Sequence, residues 1–175
     1  MKKEALITLL DEKFDNLVQW LKDRPAEEFV SQKTPGKWSD GEHLEHLRKT
    51  SRALNKGMKI PKLVLRYKFG KMNREEKTYE QVVAKYQKAL NKGSVKAPAE
   101  FVADKISIED KDRIIKWFRE EQATLKDIVM KNSEKALTKY VIPHPLTGRM
   151  NFREFIYFTA YHTEHHHKLM KKYNG

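Results

Sequence analysis

The chain has 175 residues, of which 39% are hydrophobic and 34% charged, and its formal net charge is +12. That length and composition are typical of one globular domain with a substantial core, and the charge predicts a surface that attracts anions. The sequence contains no cysteine, which excludes disulfides, thiolate nucleophiles and cysteine-based zinc sites.

Helical periodicity begins close to the first residue. Apolar side chains spaced three and four apart predict a first helix from about Lys3 to Lys22, ended by Arg24-Pro25. The chain enters this helix without the apolar region of a signal peptide, and no apolar run approaches the roughly 18 residues of a membrane span. We therefore expect a cytoplasmic protein without a membrane partner.

A capping box predicts the start of a second helix. Ser39 would cap the first turn, and Glu42, three residues later, would reach back to the cap. The helix is expected to end near Asn55 or Lys56, before Gly57.

The segment of about residues 59–105 has the weakest periodicity, and we interpret it as a long, partly helical insertion between the second and third helices. Thr78 and Gln81 would cap a short helix over Tyr79–Leu90. Residues 93–98, which contain a glycine and a proline, are typical of a loop.

Two more long helices follow. The third is predicted to begin at residue 107 or 109 and to end at about residue 131. Asn151, with Glu154 three residues later, would cap a fourth helix that ends at about Lys172. Four long amphipathic helices without a strand pattern predict an all-α protein, an antiparallel four-helix bundle that forms a single domain over residues 1–175.

The core face of the fourth helix contains a pair of histidines. Its members are spaced alternately three and four residues apart: Phe152, Phe155, Thr159, His162, His166, Leu169 and Tyr173. His162 and His166 therefore lie on one face, about 5–6 Å apart. Burying two imidazoles is costly unless their nitrogens find partners. A shared divalent metal ion would serve both, since neutral imidazole is a good ligand for zinc, nickel, copper and iron; hydrogen bonds to core carboxylates or carbonyls are the alternative.

A third ligand has to come from another helix. The second helix offers His43 and His46, and periodicity weakly favours His43, which lies nearer the centre of the apolar face. On the fourth helix, Glu164 lies on a different side from His162 and cannot readily serve a water on the metal. His167 is expected to face solvent.

Two blocks of sequence resemble the DinB-like superfamily of bacterial four-helix bundles. The first is Pro35-Gly36-Lys37-Trp38-Ser39, followed by His46-Leu47 eight residues after the tryptophan. The second is His144-Pro145-Leu146-Thr147-Gly148, followed by Phe158 and His162-x-x-x-His166. The blocks agree with the family in order, helix placement and spacing, whereas residues 59–105 have no counterpart.

The resemblance implies a metal site formed by His46, His162 and His166, and it overrules the weak preference of the pattern for the other histidine. It implies one divalent ion, with zinc or nickel preferred over iron or manganese. It also implies that the chain can form a homodimer, as many relatives do. The implied function is that of a metal-dependent hydrolase, or of an S-transferase that uses a low-molecular-weight thiol, acting on a small-molecule substrate. Gln122, polar within the apolar stripe of the third helix, could line the site or be a hydrogen-bonded core residue. No residue stands out as a general acid or base.

A second functional hypothesis rests on charge. Residues 48–74, here called the basic segment, contain ten basic residues and no acidic one, with Tyr67 and Phe69 among them. A non-enzymatic bundle could bind an anionic partner, nucleic acid or a membrane surface, through such a segment. No nucleic-acid-binding motif is present, so we expect a solvated basic surface, suited at most to an anionic substrate, and no specific nucleic acid.

Overall fold

Four long helices dominate the fold. In a computed structural model, which describes residues 1–93 and 96–175, they are α1 (Lys3–Lys22), α3 (Asp40–Lys59), α6 (Lys111–Lys131) and α8 (Phe152–Asn174). The shorter elements are α2 (Ala26–Val30), α4 (Lys62–Phe69), α5 (Tyr79–Leu90), α7 (Glu134–Lys139), β1 (Val141–His144) and β2 (Gly148–Asn151). The prediction of a mainly α-helical bundle with four long helices is confirmed.

The core is built from the apolar faces of these helices. Two facing stripes show the pattern: Leu6, Leu10, Phe14, Leu17 and Leu21 in α1, and Ile115, Phe118, Leu125 and Val129 in α6. Phe14 and Phe118 meet edge to face, with ring centroids 5.8 Å apart. Each fully buried side chain of this size contributes about 2 kcal/mol. In the described part of the chain, no helix combines the length and the apolarity that crossing a bilayer requires.

Contacts between the helices give their directions. Asn55 of α3 donates a hydrogen bond to the Glu121 carbonyl of α6 at 2.8 Å, and the Arg48 guanidinium of α3 lies over the Trp117 ring of α6. The residue numbers increase together along both helices, so α3 and α6 run parallel as neighbours. The chain therefore has to return along the whole bundle between them, roughly 30 Å for a helix of 20 residues. This return explains why the connection is long.

The other three packing pairs complete the bundle. α1 and α8 are also parallel, since Lys13 pairs with Glu164 at 3.1 Å and Arg24 donates to the Asn174 carbonyl. The remaining neighbours, α1 with α6 and α3 with α8, are antiparallel. The antiparallel arrangement thus holds for two of the four packing pairs, and the crossing connection makes the other two parallel.

The segment interpreted as an insertion is this crossing connection, and we call it the crossover. The short helix that its capping box predicts is confirmed as α5, which buries Val82 and Tyr86 against α8. The sequence pattern does not predict α4, a helix with Leu65 on its buried side. The loop predicted over residues 93–98 includes residues 94 and 95, which lie outside the described residues.

Helix boundaries differ from the prediction at three places. α3 continues through Gly57 to Lys59. Gly57 does not end the helix; a Cβ at this position would lie 3.0 Å from the Ile142 Cδ1 atom, so the glycine allows β1 to approach α3 closely. α6 begins at Lys111, after one 3₁₀ turn, and α8 continues to Asn174.

One small hairpin departs from the expectation of a chain without strands. β1 and β2 pair antiparallel, from Val141 opposite Asn151 to His144 opposite Gly148. Gly148 has a φ of 73°, the left-handed conformation that closes the turn. Each strand has only four residues, and Pro143 interrupts the first, so the sequence offers too little alternation for a strand prediction.

A buried carboxylate ties the crossover to the start of α8. Glu154, whose side chain is fully buried, accepts hydrogen bonds from the Arg74 guanidinium at 2.5 and 2.7 Å and from the Lys77 backbone N–H at 2.8 Å. It also completes the predicted capping box with Asn151. Burial alone would raise the pKa of the Glu154 carboxyl, but the bonds from Arg74 and Lys77 hold that pKa below its usual value.

We predict that Glu154→Ala lowers the free energy of unfolding by about 3 kcal/mol, because it leaves the Arg74 charge and the helix cap without their partner. Urea denaturation measures this change. The matched control is Glu12→Ala, which removes an exposed carboxylate and should change stability by less than about 0.5 kcal/mol. Equal effects of the two substitutions would show that the Glu154 contacts do not stabilise the fold.

Candidate metal centre

Three histidines meet in the interior between α3 and α8. Because these helices are antiparallel neighbours, His46 of α3 faces His162 and His166 of α8. His46 Nε2 lies 3.3 Å from His162 Nε2, which lies 3.0 Å from His166 Nε2. One ligand atom from each of the three falls within 4.8 Å of the others, and the side chains are only 5% to 6% exposed.

The spacing of the three nitrogens fits one metal ion. In a tetrahedral zinc site with Zn–N bonds of about 2.05 Å, neighbouring nitrogens lie about 3.3 Å apart. The two contacts measured here, 3.3 and 3.0 Å, are at or just inside that value. The group coincides with the set implied by the resemblance; that it binds a metal stays a prediction.

A backbone carbonyl fixes the proton of His46. The Nδ1 atom of His46 donates to the carbonyl oxygen of Phe101 at 2.9 Å, and a carbonyl oxygen can only accept. The neutral ring therefore has its proton on Nδ1 and a lone pair on Nε2, the atom that faces His162. Phe101 belongs to the 3₁₀ turn Ala99–Phe101 in the crossover, so a segment remote in sequence sets the tautomer that a metal ligand needs.

His43 makes the corresponding contact with His166. Their Nδ1 atoms lie 2.8 Å apart, so one nitrogen donates and the other accepts. When His166 presents the Nε2 lone pair to His162, its Nδ1–H donates to His43, whose own proton then lies on Nε2. That His43 nitrogen is buried and has no hydrogen-bond partner among the described residues. His43 thus lies behind a candidate ligand, and the geometry favours His46 as the third member of the group.

Burial keeps these imidazoles neutral. It lowers the pKa of His43, with help from the neighbouring His46, to about 3, and it also lowers the pKa of His46. For His162 and His166, burial and the surrounding imidazoles lower the pKa well below the usual 6.5. Metal binding requires the neutral form. Since folding depresses these values, the stability that the neutral rings contribute is present above pH ~6.5 and is progressively lost as the pH falls below it.

An indole ring covers the histidines. The Trp38 centroid lies 5.4 Å from that of His43, 5.2 Å from that of His46 and 6.2 Å from that of His166. Trp38 directly precedes Ser39, the cap of α3, so the confirmed capping box also fixes the position of the indole.

The three histidines open onto a cavity of about 770 Å³. Much of its wall is aromatic or aliphatic, including Trp38, Leu47, Tyr86, Phe101, Phe155 and Phe158. Among the described residues that line it, none is an aspartate or a glutamate, and the charged ones are Lys37 and Lys96. A cavity of this size and polarity suits a small organic molecule.

The model of the DinB superfamily matches residues 9–170 of the chain. The chain belongs to the DinB superfamily. The match includes most of all four bundle helices and all three histidines of the group, in agreement with the two sequence blocks. Neither a search of curated proteins nor a search of solved structures finds a significant match.

Other residues singled out in this DinB-superfamily chain lie elsewhere. Gln122 is buried in α6 but is not part of the described cavity wall, and its Nε2 has no partner among the described residues. Glu164 pairs with Lys13, away from the histidines. The expectation that His167 faces solvent is wrong: its ring is half-buried, 5.3 Å from that of Trp20, because α1 packs on that side of α8.

Sequence reasoning missed three contributors to the site. The Phe101 carbonyl and the Tyr86 ring lie in the crossover, where no motif marks them. His144, which also lines the cavity, belongs to the second sequence block, but nothing in the sequence indicated its role.

We predict that His46→Ala and His162→Ala in this DinB-superfamily protein lower zinc affinity to similar extents, because each removes a candidate ligand. His43→Ala should lower it less, within the roughly 10–100-fold typical of residues that orient a ligand. His43→Asn, which retains an acceptor near the former Nδ1 position, should recover part of the loss. Competition with a coloured chelator measures the affinities, and a larger loss for His43→Ala than for His46→Ala would reverse the assignment.

Proposed function

We propose that this chain is a divalent-metal-dependent enzyme in which His46, His162 and His166 hold one ion beside a substrate cavity. One observation carries the proposal: three neutral, buried imidazoles point their Nε2 atoms at one another beside a cavity large enough for a small molecule. Buried acceptors facing one another are costly unless a cation or proton lies between them.

His46, His162 and His166 would hold the ion without neutralising its charge, and the ion would supply the acidification of a water or thiol, giving a nucleophile at neutral pH. The chain contributes orientation and exclusion of water. Phe101 and His43 fix the ring orientations of two ligands, and Trp38 shields the histidines from solvent. The apolar walls bind the substrate body next to them.

The cavity favours thiol transfer over hydrolysis. Hydrolysis usually needs a proton donor for the leaving group, and none of the described lining residues is a carboxylic acid. Burial raises the pKa of Tyr86 to about 12, so the phenol is a weak acid. In S-transfer the sulfur forms a bond to an electrophilic carbon and a stable leaving group departs with its electron pair, without a proton from the protein. Imidazole-only ligation suits zinc and nickel, the ions that we propose, as well as copper and iron.

We predict that protein loaded with zinc and then dialysed retains about one ion per chain, because three histidines form one site. The triple variant His46→Ala/His162→Ala/His166→Ala should retain almost none. Elemental analysis measures both, with Glu12→Ala as the matched surface control. Repeated values far below one equivalent for the unmodified chain would contradict a functional metal site. A screen of low-molecular-weight thiols against an aromatic halide, beside an activated ester in water, then separates S-transfer from hydrolysis.

A second candidate function, binding of an anionic partner, is supported by one surface of the basic segment. Arg48, Lys49 and Arg74 form ion pairs within the protein. α4, however, exposes Leu63 and Tyr67, at 79% and 92%, among basic residues. Exposed apolar side chains surrounded by cations are typical of surfaces that meet anions.

We predict that this surface binds duplex DNA only weakly, and that the logarithm of the affinity falls linearly and steeply with the logarithm of the salt concentration. Arg66→Ala/Lys68→Ala should weaken the binding further, whereas Lys2→Ala, far from α4 in sequence, should not. Fluorescence anisotropy at several salt concentrations measures it. A tight, sequence-selective complex at physiological salt would make nucleic-acid binding the primary function.

A further inference from the structure

The hairpin turn fixes the tautomer of His144. The Nδ1 atom of His144 accepts hydrogen bonds from the backbone N–H groups of Leu146 and Thr147, both at 3.2 Å. A backbone N–H can only donate, so this Nδ1 carries a lone pair. A neutral His144 ring therefore has its proton on Nε2.

The His144 ring is also held firmly in place. Its centroid lies 4.4 Å from that of Phe158 and 5.7 Å from that of Phe155. Thr147 in the same turn is bound from the crossover by Lys85 Nζ, which donates to its carbonyl at 2.6 Å. Burial lowers the pKa of His144 to about 4, so the ring is neutral at physiological pH.

The Nε2–H group of His144 has no acceptor among the described residues. It is also not one of the fully buried polar groups that lack a partner, so it is accessible to solvent or to a ligand. The His144 side chain lines the same cavity as the three histidines. A fixed donor that is accessible from a cavity is available to a ligand. An unmet buried donor costs roughly 1–3 kcal/mol, so an occupant that displaces water from this wall needs an acceptor at this point.

The rest of the cavity specifies the acceptor. No described lining residue is acidic, and Lys37 and Lys96 supply the charge, so the electrostatic field favours a negative group. Tyr86, Phe155 and Phe158 form an aromatic wall that favours an apolar or aromatic body.

We infer that His144 is a substrate-binding residue whose Nε2–H donates a hydrogen bond to a carboxylate oxygen of an organic acid with an apolar or aromatic body. This inference deepens the proposed function and rests on it for the identity of the cavity as the substrate site. The neutral His144 donor orients the acid against the aromatic wall, beside His162 and His166. The competing explanation is that His144 serves only as the acceptor that closes the hairpin turn.

Two substitutions separate the donor from the turn acceptor. His144→Asn keeps an oxygen near the Nδ1 position, and so keeps the turn, but removes the donor at Nε2. His144→Gln places an amide N–H near the Nε2 position and loses the turn acceptor. If His144 binds substrate, His144→Asn should lose more ligand affinity than His144→Gln. If His144 only closes the turn, His144→Gln should lose more stability than His144→Asn, and ligand affinity should not separate the two variants.

The test uses benzoate as the probe acid and toluene as a neutral probe of the same shape, with titration calorimetry on zinc-loaded and zinc-free protein. His144→Asn should weaken benzoate binding at least tenfold, as expected for a hydrogen bond to a charged group. Toluene binding should be unchanged, and His144→Gln should stay within about threefold of the unmodified chain. Benzoate binding that vanishes without zinc would reveal coordination to the ion and overturn the inference.

Nuclear magnetic resonance of the unmodified protein keeps the inference falsifiable if a variant fails to fold. Benzoate should shift the Nε2–H resonance of His144, and toluene should not. An unmoved resonance at saturating benzoate, unchanged benzoate affinity in His144→Asn, or binding of toluene without benzoate would each leave His144 as a turn residue only. Zinc retention, measured on the same samples, reports separately on the proposed metal site.

Discussion

Four imidazole rings packed between α3 and α8 set the constraint on which the rest of the structure depends. A ring nitrogen in the core has to find a partner, since an unpaired one costs roughly 1–3 kcal/mol. Two partners come from the chain itself, the Phe101 carbonyl for His46 and the Nδ1 atom of His43 for His166. These contacts place a lone pair on the Nε2 atoms that face the shared interior. The Nε2 atoms of His46, His162 and His166 thereby form a nitrogen cage whose spacing fits one cation.

The path of the chain also brings the crossover to the cavity. Because α3 and α6 run parallel, the crossover has to travel the length of the bundle, and on the way it forms one wall of the cavity. It supplies the Tyr86 ring and the Phe101 carbonyl, while the Glu154 carboxylate ties it to α8. The hairpin before α8 adds His144, whose ring centroid lies 4.4 Å from that of Phe158. The connections that a plain bundle would keep short thus contribute to the wall of the cavity.

Local signals in the sequence predicted the helices well, because capping boxes and apolar spacing act within a few residues. The boxes at Ser39, Thr78 and Asn151 are all found as predicted. The pairing of His162 with His166 followed from the core face of one helix. Periodicity weakly favoured His43, whereas the geometric group contains His46; burial does not separate the two, since they are 5% and 6% exposed. What distinguishes them is a carbonyl some fifty residues away, and no local pattern encodes such a contact.

The features that sequence reasoning missed are long-range ones. The parallel packing of α3 and α6 depends on a crossing connection whose route is set by tertiary contacts. The hairpin has two four-residue strands, with Pro143 in the first, and its Ile142 packs closely against α3 at Gly57. The pattern of α8 alone predicted that His167 faces solvent, but Trp20 of α1 covers it. In each case packing between elements decided the outcome.

Long-range proton–nitrogen correlation spectra of the metal-free protein at neutral pH report the protonation of each ring nitrogen, and so test directly whether the cage is prepared for a cation. We expect His46 and His166 to be neutral, with protonated Nδ1 atoms and unprotonated Nε2 atoms, and we expect zinc to shift the Nε2 resonances of these two and of His162 together. Protonated Nε2 atoms on His46 and His166, or charged imidazolium rings, would show that the cage is not prepared for a cation and would contradict the account.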